Sequence, residues 1–126
     1  MINFYKYHGA GNDFIMIDNR SLDFDVDNVD QIKLLCHRRF GIGADGLLLV
    51  ENSNKYDFKM VFINNDGSIG SMCGNGGRGI VHFAYHILRI IDDPKNIVFE
   101  AVDGLHEAEI DGDIVKLNMQ DIKEIT

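Results

Sequence analysis

One cysteine stands in a run of small and flexible residues, Ser71-Met72-Cys73-Gly74-Asn75-Gly76-Gly77-Arg78, just ahead of a segment with apolar residues at helical spacing. A thiol immediately before a helix's free N–H groups has its thiolate stabilised by them and by the helix dipole. The glycines let a small anionic group approach the same backbone. A reactive sulfur and an anion site are therefore expected within a few residues of each other. An arbitrary Cys-Gly pair is more often a small buried residue in a tight turn. Here the glycine-rich helix start favours the chemical reading.

Other candidates are weighed the same way. Asn12, Asn64, Asn65 and Asn75 all lie in glycine-containing loops, where turn chemistry is the plain explanation and the better one for Asn65 beside Asp66-Gly67. Asn12 and Asn64 each fall at a strand end, where a neutral amide offers a donor and an acceptor to a zwitterionic ligand. His8 adjoins the Gly9-Ala10-Gly11-Asn12-Asp13 loop, but sequence alone does not establish a Cys-His pair. His37, among Arg38 and Arg39, suits a helix C-terminus. His82 and His86 are four apart, yet no HExxH or third ligand accompanies them, so a solvated helix face is expected and no metal. Cys36 takes an apolar helix position and is expected in the core, while Asp45 and Asp66 read as loop residues.

Two stretches match G-x-G-x-x-G. Residues 41–46 follow a helix and lead into a strand, the wrong context for a dinucleotide site. Residues 74–79 do open a helix, but the convincing strand before them ends at Asn64, too early for the fingerprint. Neither is taken as a nucleotide site.

These residues must be positioned by a chain of 126 residues, enough for one domain, 1–126, with a real core. Its apolar share of 45% and charged share of 25% are those of a globular protein. A formal charge of −8 argues against nucleic acid or an anionic membrane as partner. Two cysteines without a CxxC, no signal-peptide stretch and no long apolar run predict a cytoplasmic protein.

The patterning predicts strands at 2–8 and 14–18, a helix over roughly 28–38 capped by Asp27 or Asn28, and strands at 47–51 and 58–64. The second of these turns at Asp66-Gly67 into a short partner strand. From Asn75 to Ile91, Ile80, Phe83, Ala84, Ile87, Leu88 and Ile91 follow the i, i+3, i+4, i+7 rule, and Pro94 is expected to end that helix. Strands follow at about 96–102, 105–110 and 113–119. Many strands with two helices predict an α+β fold, a curved, mostly antiparallel sheet around the long helix.

Three blocks, in this order, go beyond generic motifs: residues 7–14 (YHGAGNDF), residues 39–48 (RFGIGADGLL), and residues 64–68 (NNDGS) followed by 72–76 (MCGNG). Together they resemble the diaminopimelate epimerase family, and the similarity runs on through Lys116-Leu117-Asn118-Met119. The resemblance implies a cofactor-independent epimerase that interconverts LL- and meso-diaminopimelate in lysine and peptidoglycan synthesis. It implies two similar lobes with the site between them and two acid/base cysteines. By motif match, Cys73 is one of those cysteines. Gly74 and Asn75 would offer backbone N–H groups to the α-carboxylate, and Asn12 and Asn64 would contact the substrate toward its distal end. Where many relatives carry a cysteine after the motif's arginine, this chain has Gly79.

Removing an α-proton from an amino acid without pyridoxal phosphate needs concerted acid–base action, fixed dipoles at the carboxylate and exclusion of water. Inversion needs a base on one face of the α-carbon and an acid on the other. Only Cys73 has a suitable setting in this sequence. The chain is therefore expected to be the N-terminal lobe alone, inactive without a C-terminal lobe, with a cleft wall along which two copies could pair as a homodimer. Two alternatives remain: a racemase or isomerase of the same fold acting on another substrate, and a non-enzymatic thiol-based binding or redox module.

Overall fold

The computed structural model describes residues 4–8, 12–70 and 74–118. In chain order the elements are β1 (Phe4–His8), β2 (Asp13–Asp18), α1 (Val29–Cys36), β3 (Gly46–Glu51), β4 (Phe58–Asn64), β5 (Ile69–Gly70), α2 (Gly74–His82), a π-helical continuation (Phe83–Ile87), β6 (Ile97–Ala101), β7 (Gly104–Asp111) and β8 (Ile114–Asn118). All strands join one sheet in the order β1-β2-β3-β4-β6-β7-β8, with β5 paired to β4.

Strands β2, β3 and β4 explain the arrangement. Their side chains alternate between two cores: Phe14, Met16, Leu48 and Val50 pack with Ile80, Phe83 and Ala84 of the long helix. Ile15, Ile17, Leu47 and Leu49 point the other way, against Ile32 and Cys36 of α1. Strands buried on both faces read as continuous apolar runs, as Phe14-Ile15-Met16-Ile17 and Leu47-Leu48-Leu49-Val50 do. Each face needs a helix to cover it. Both are supplied by the connections, since α1 links the parallel pair β2–β3 and α2 lies between the parallel strands β4 and β6. The remaining pairs are antiparallel, as expected from the short polar turns. Strands β6 to β8 then curl around α2, placing Phe99, Ala108 and Ile110 in the same core as the helix.

Local signals agree with this placement. Asn28 caps α1 by accepting from the Gln31 N–H at 3.1 Å. The glycines at 41–46 serve packing rather than phosphate. A Cβ on Gly41 would lie 1.8 Å from the Leu34 carbonyl oxygen, and one on Gly46 would lie 2.7 Å from that of Ile63. Gly43 adopts φ +86°, open to glycine at little cost.

Two expectations are corrected. The long helix does not run to Ile91 or wait for Pro94: it widens into a π turn at Phe83–Ile87, with the Leu88 N–H donating to Phe83 O. Arg89 at φ 57° then reverses the chain, and the Ile90 N–H closes it on Ala84 O at 3.1 Å. The apolar spacing persisted past the helix because Ile91 returns to the core from the reversed segment.

The second correction concerns His82 and His86, which do not form a solvated face. Their rings pack against each other at a tilt with centroids 4.4 Å apart, His82 Nδ1 and the Tyr7 hydroxyl share a hydrogen bond of 3.0 Å, and His86 Nε2 is buried without a partner among the described residues. Burial, with His86 second, pushes His82 below its ordinary pKa, and burial pushes Tyr7 above its own. A neutral imidazole accepting from a protonated phenol satisfies both. The helix face is polar by residue type, but the curled sheet brings edge strand β1 over it.

Gly41→Ala is expected to destabilise the chain by about 2 kcal/mol, because a backbone carbonyl must move. At Gly79 a Cβ would meet only the flexible Met16 Cε at 2.8 Å within ordinary crowding distance. Gly79→Ala should thus be within about 1 kcal/mol of neutral, with helix propensity offsetting the contact. Urea unfolding of the two variants checks the difference.

Candidate active site

Four strand ends meet at one edge of the sheet. The register pairs His8 with Asp13, Phe14 with Gly46, and Gly46 with Asn64, so the end of β1, the starts of β2 and β3 and the end of β4 lie together. Asn12 and Asn64, far apart in sequence, are thereby brought to the same edge. Helix α2 and its continuation run antiparallel to β1 above it: the Tyr5 ring packs tilted against Phe83, Tyr7 edge-on against His82, and a Cβ on Gly79 would lie 3.9 Å from the Tyr7 ring. The N-terminus of α2, beginning at Gly74, is therefore directed toward the edge that holds the two asparagines. Gly74 and Asn75 form its first turn, where backbone N–H groups have no partner within the helix. Cys73 is the residue before Gly74 in sequence and lies outside the described residues.

Asp45 ties this edge together. Its Oδ2 accepts from the Asp13 backbone N–H at 2.9 Å and from Asn12 Nδ2 at 3.4 Å, while Oδ1 accepts from Arg38 Nη2 at 3.2 Å. Its own N–H donates to Asp13 O at 2.9 Å, and its carbonyl accepts from the Asn65 N–H at 3.1 Å. Arg38 also donates from Nη1 to Asp13 Oδ2 at 2.9 Å. His8 Nδ1 lies 2.9 Å from Asp13 Oδ1, and Lys6 Nζ 3.7 Å from Oδ2. The Arg38 hydrogen bond, followed by that from His8, holds the Asp13 carboxyl below the usual carboxylate range. An acidic chain thus carries, at this edge, aspartates matched by cations.

The Asn64 side chain is partly engaged by its own turn. Its Nδ2 donates to Ser68 Oγ at 3.1 Å, and its backbone N–H to Ser68 O at 2.8 Å. Ser68 in turn donates from both N–H and Oγ to Asp66 Oδ1, which lowers the Asp66 pKa. Asp66 and Asn65 are turn residues as read. Asp45 is more than a loop residue, and the sequence reading missed Asp13, Arg38 and Asp45 as a group. The available signal was an acid closing each of two glycine-containing loops, Asp13 after Gly11-Asn12 and Asp45 after Gly43-Ala44; its pairing was hidden because Arg38, just beyond the end of α1, is 25 residues from Asp13. His8 approaches the edge but is spent on Asp13 and stays 69% exposed. Cys36 is buried on the α1 face, where burial pushes its thiol up. Among the described residues no group of three or more His, Cys, Asp or Glu is gathered to hold a metal ion, and no helix is long and apolar enough to cross a membrane.

The family model described as Diaminopimelate epimerase matches residues 4–123. The chain belongs to the diaminopimelate epimerase family. A diaminopimelate epimerase of Flavobacterium psychrophilum is 53% identical over 122 residues, covering 96% of this chain and 46% of that relative. One of Chlorobaculum tepidum is 50% identical, covering 88% and 43%, and one of Campylobacter lari is 40% identical, covering 98% and 47%. The chain spans about half the length of these epimerases. Among solved structures, a phenazine biosynthesis PhzC/PhzF protein of Clostridium difficile shares the fold at TM-score 0.66 and 12% identity, over 99% of this chain and 51% of that one. A hydroxyproline epimerase of Agrobacterium vitis does so at TM-score 0.61 and 14% identity, over 88% and 37%. The expected α+β architecture is thus the fold of this wider group, with more parallel pairing than a meander would have.

Arg38→Gln is expected to raise the Asp13 pKa toward the ordinary carboxylate value of about 3.9. The sign follows from linkage: a depressed carboxyl contributes stability above the unfolded pKa and loses it as pH falls through the folded one. The variant should therefore show a smaller stability difference between neutral and strongly acidic solution. Carboxyl NMR titration of Asp13, with urea unfolding at both pH values, measures the effect.

Proposed function

We propose that this chain forms the N-terminal half of a cofactor-independent diaminopimelate epimerase and supplies one of its two acid/base cysteines, Cys73. The observation that supports this most is the direction of α2, whose first turn faces the edge where Asn12 and Asn64 gather. A carboxylate set against the N–H groups of Gly74 and Asn75 would be held by first-turn donors and the helix dipole. The thiolate of Cys73, favoured by the same dipole, would take the α-proton. A thiol on the opposite face would deliver its own proton to the α-carbon, leaving the first cysteine as thiol and the second as thiolate.

Cys36 does not suit the second role, because it lies on the other side of the sheet with its thiol pKa raised by burial. The second base is assigned to the part of the relatives' length that this chain does not span. Diaminopimelate is favoured over other substrates of the fold because identity to diaminopimelate epimerases is 40–53%, against 6–16% for the structural neighbours. Thiolate chemistry of this kind belongs in a reducing cytoplasm.

The experiment is α-proton exchange of LL-diaminopimelate in heavy water, with this chain alone, with a C-terminal half shown to associate with it, and with Cys73→Ala. Exchange and inversion should need both halves and fall by at least about a thousandfold in Cys73→Ala. Full activity of this chain alone, or of the Cys73→Ala pair, would contradict the proposal.

A further inference from the structure

We propose that Asp66, acting through the Ser68 hydroxyl, is a positioning residue that fixes which end of the Asn64 amide is offered to substrate. The inference rests on the reading of Asn64 as a substrate contact and adds to it the group that decides its polarity. Asn64, Asp66 and Ser68 belong to one turn closed by its own backbone. The Asn64 N–H donates to Ser68 O at 2.8 Å, and the Gly67 N–H to Asn64 O at 2.9 Å. The side chains add a second, directional chain of bonds. Ser68 Oγ donates to Asp66 Oδ1 at 2.6 Å, and Asn64 Nδ2 donates to Ser68 Oγ at 3.1 Å.

The direction follows from what each group can do. An ionised carboxylate only accepts, so Asp66 takes the one hydroxyl proton that Ser68 has. The Ser68 oxygen is left as an acceptor, and only the nitrogen end of an amide can meet it. Asp66 is kept ionised by the same partner, because the Ser68 hydroxyl and then the Ser68 N–H, at 2.9 Å, hold its carboxyl below the usual range. Packing confines the amide as well, since a Cβ on Gly70 would lie 2.9 Å from Asn64 Nδ2. The bond to Ser68 is the only one the Asn64 side chain makes among the described residues, so Oδ1 is the end left for a ligand. A carbonyl oxygen suits a donor such as a substrate ammonium, not a carboxylate. Without the Asp66 charge the Ser68 hydroxyl is able to turn and donate to Oδ1, and both amide orientations open.

The test uses the complete enzyme, this chain with its C-terminal half, and the variants Asp66→Ala, Ser68→Ala, both together, and Ser68→Thr. If the acceptor orientation falls to about a fifth of the molecules, apparent affinity falls about fivefold. Asp66→Ala and Ser68→Ala should each raise KM for LL-diaminopimelate by about that factor with kcat changed less than about twofold, because a binding contact acts on ground and transition states alike. The double variant should match the single ones, since both residues act through one chain of bonds. Ser68→Thr keeps the hydroxyl at an exposed position and should stay within about twofold of the parent. Multiplying effects, or single-variant KM values within about twofold of the parent, would overturn the proposal.

A second readout needs no turnover. Nuclear Overhauser contacts between the Asn64 side-chain NH2 protons and the Ser68 Cβ protons should be strong in the parent and weaker in Asp66→Ala, whose turn is still closed by the backbone bonds. Unchanged contacts would overturn the positioning role whatever the substrate. The expected contact pattern in an enzyme inert toward LL-diaminopimelate would count against the substrate reading alone.

Discussion

Burial of β2, β3 and β4 on both faces is the constraint on which the rest of this structure depends. Three central strands with apolar residues at successive positions cannot stand with one side in water. Helix α1 covers one side through Ile32 and Cys36, and α2 with its π-helical continuation covers the other through Ile80, Phe83 and Ala84. Each helix connects strands that run parallel, since a crossover over one face is what a parallel pair requires. The same requirement sets the polarity of α2. Because it must return from the β4–β5 end across the sheet, its N-terminus stays at the edge where β2 and β3 begin and β4 ends.

The chemistry of that edge follows from this placement. Strand starts and ends expose backbone groups that the ladder no longer pairs; the Asp45 carboxylate meets the Asp13 N–H, and Arg38 bridges the Asp45 and Asp13 side chains. Charge-assisted bonds between the start of β2 and the α1–β3 connection make a rigid rim on an acidic protein, with the Asp13 and Asp45 carboxylates both meeting Arg38. A rigid rim suits a site whose barrier is lowered by fixed dipoles, because donors already in place need not reorganise as charge develops.

Much of this was legible in the sequence, for physical reasons that also mark where legibility stopped. Continuous apolar runs and Asp-Gly turns placed β2, β3, β4 and the last three strands closely, and Asn28 marked the start of α1. Period alone could not tell that the apolar spacing at Leu88–Ile91 belongs to a chain reversed at Arg89, because a residue returning to the core mimics helical recurrence. The His82–His86 pair was misread because the sheet's curl, which brings Tyr7 over the helix, leaves no trace in local pattern. At the site, the asparagines could be placed at strand ends. The salt-bridged support behind them could not, since Asp45 and Arg38 meet only after α1 has folded back beside β3. The reactive setting of Cys73 is readable in its own glycine-rich run, whereas its proposed acid/base role and substrate rest on the family resemblance.

The central claim is that the sheet edge and the start of α2 make the Cys73 sulfur an acid/base near neutral pH. Its most direct measurement is the pH dependence of Cys73 alkylation in the complete protein, followed by mass spectrometry of the cysteine-containing peptide. Cys36, buried with a raised thiol pKa, provides the slow internal comparison. The account predicts that Cys73 titrates clearly below the ordinary thiol value of about 8.5 and reacts well ahead of Cys36. A Cys73 thiol that titrates at or above that value, or reacts no faster than Cys36, would contradict it.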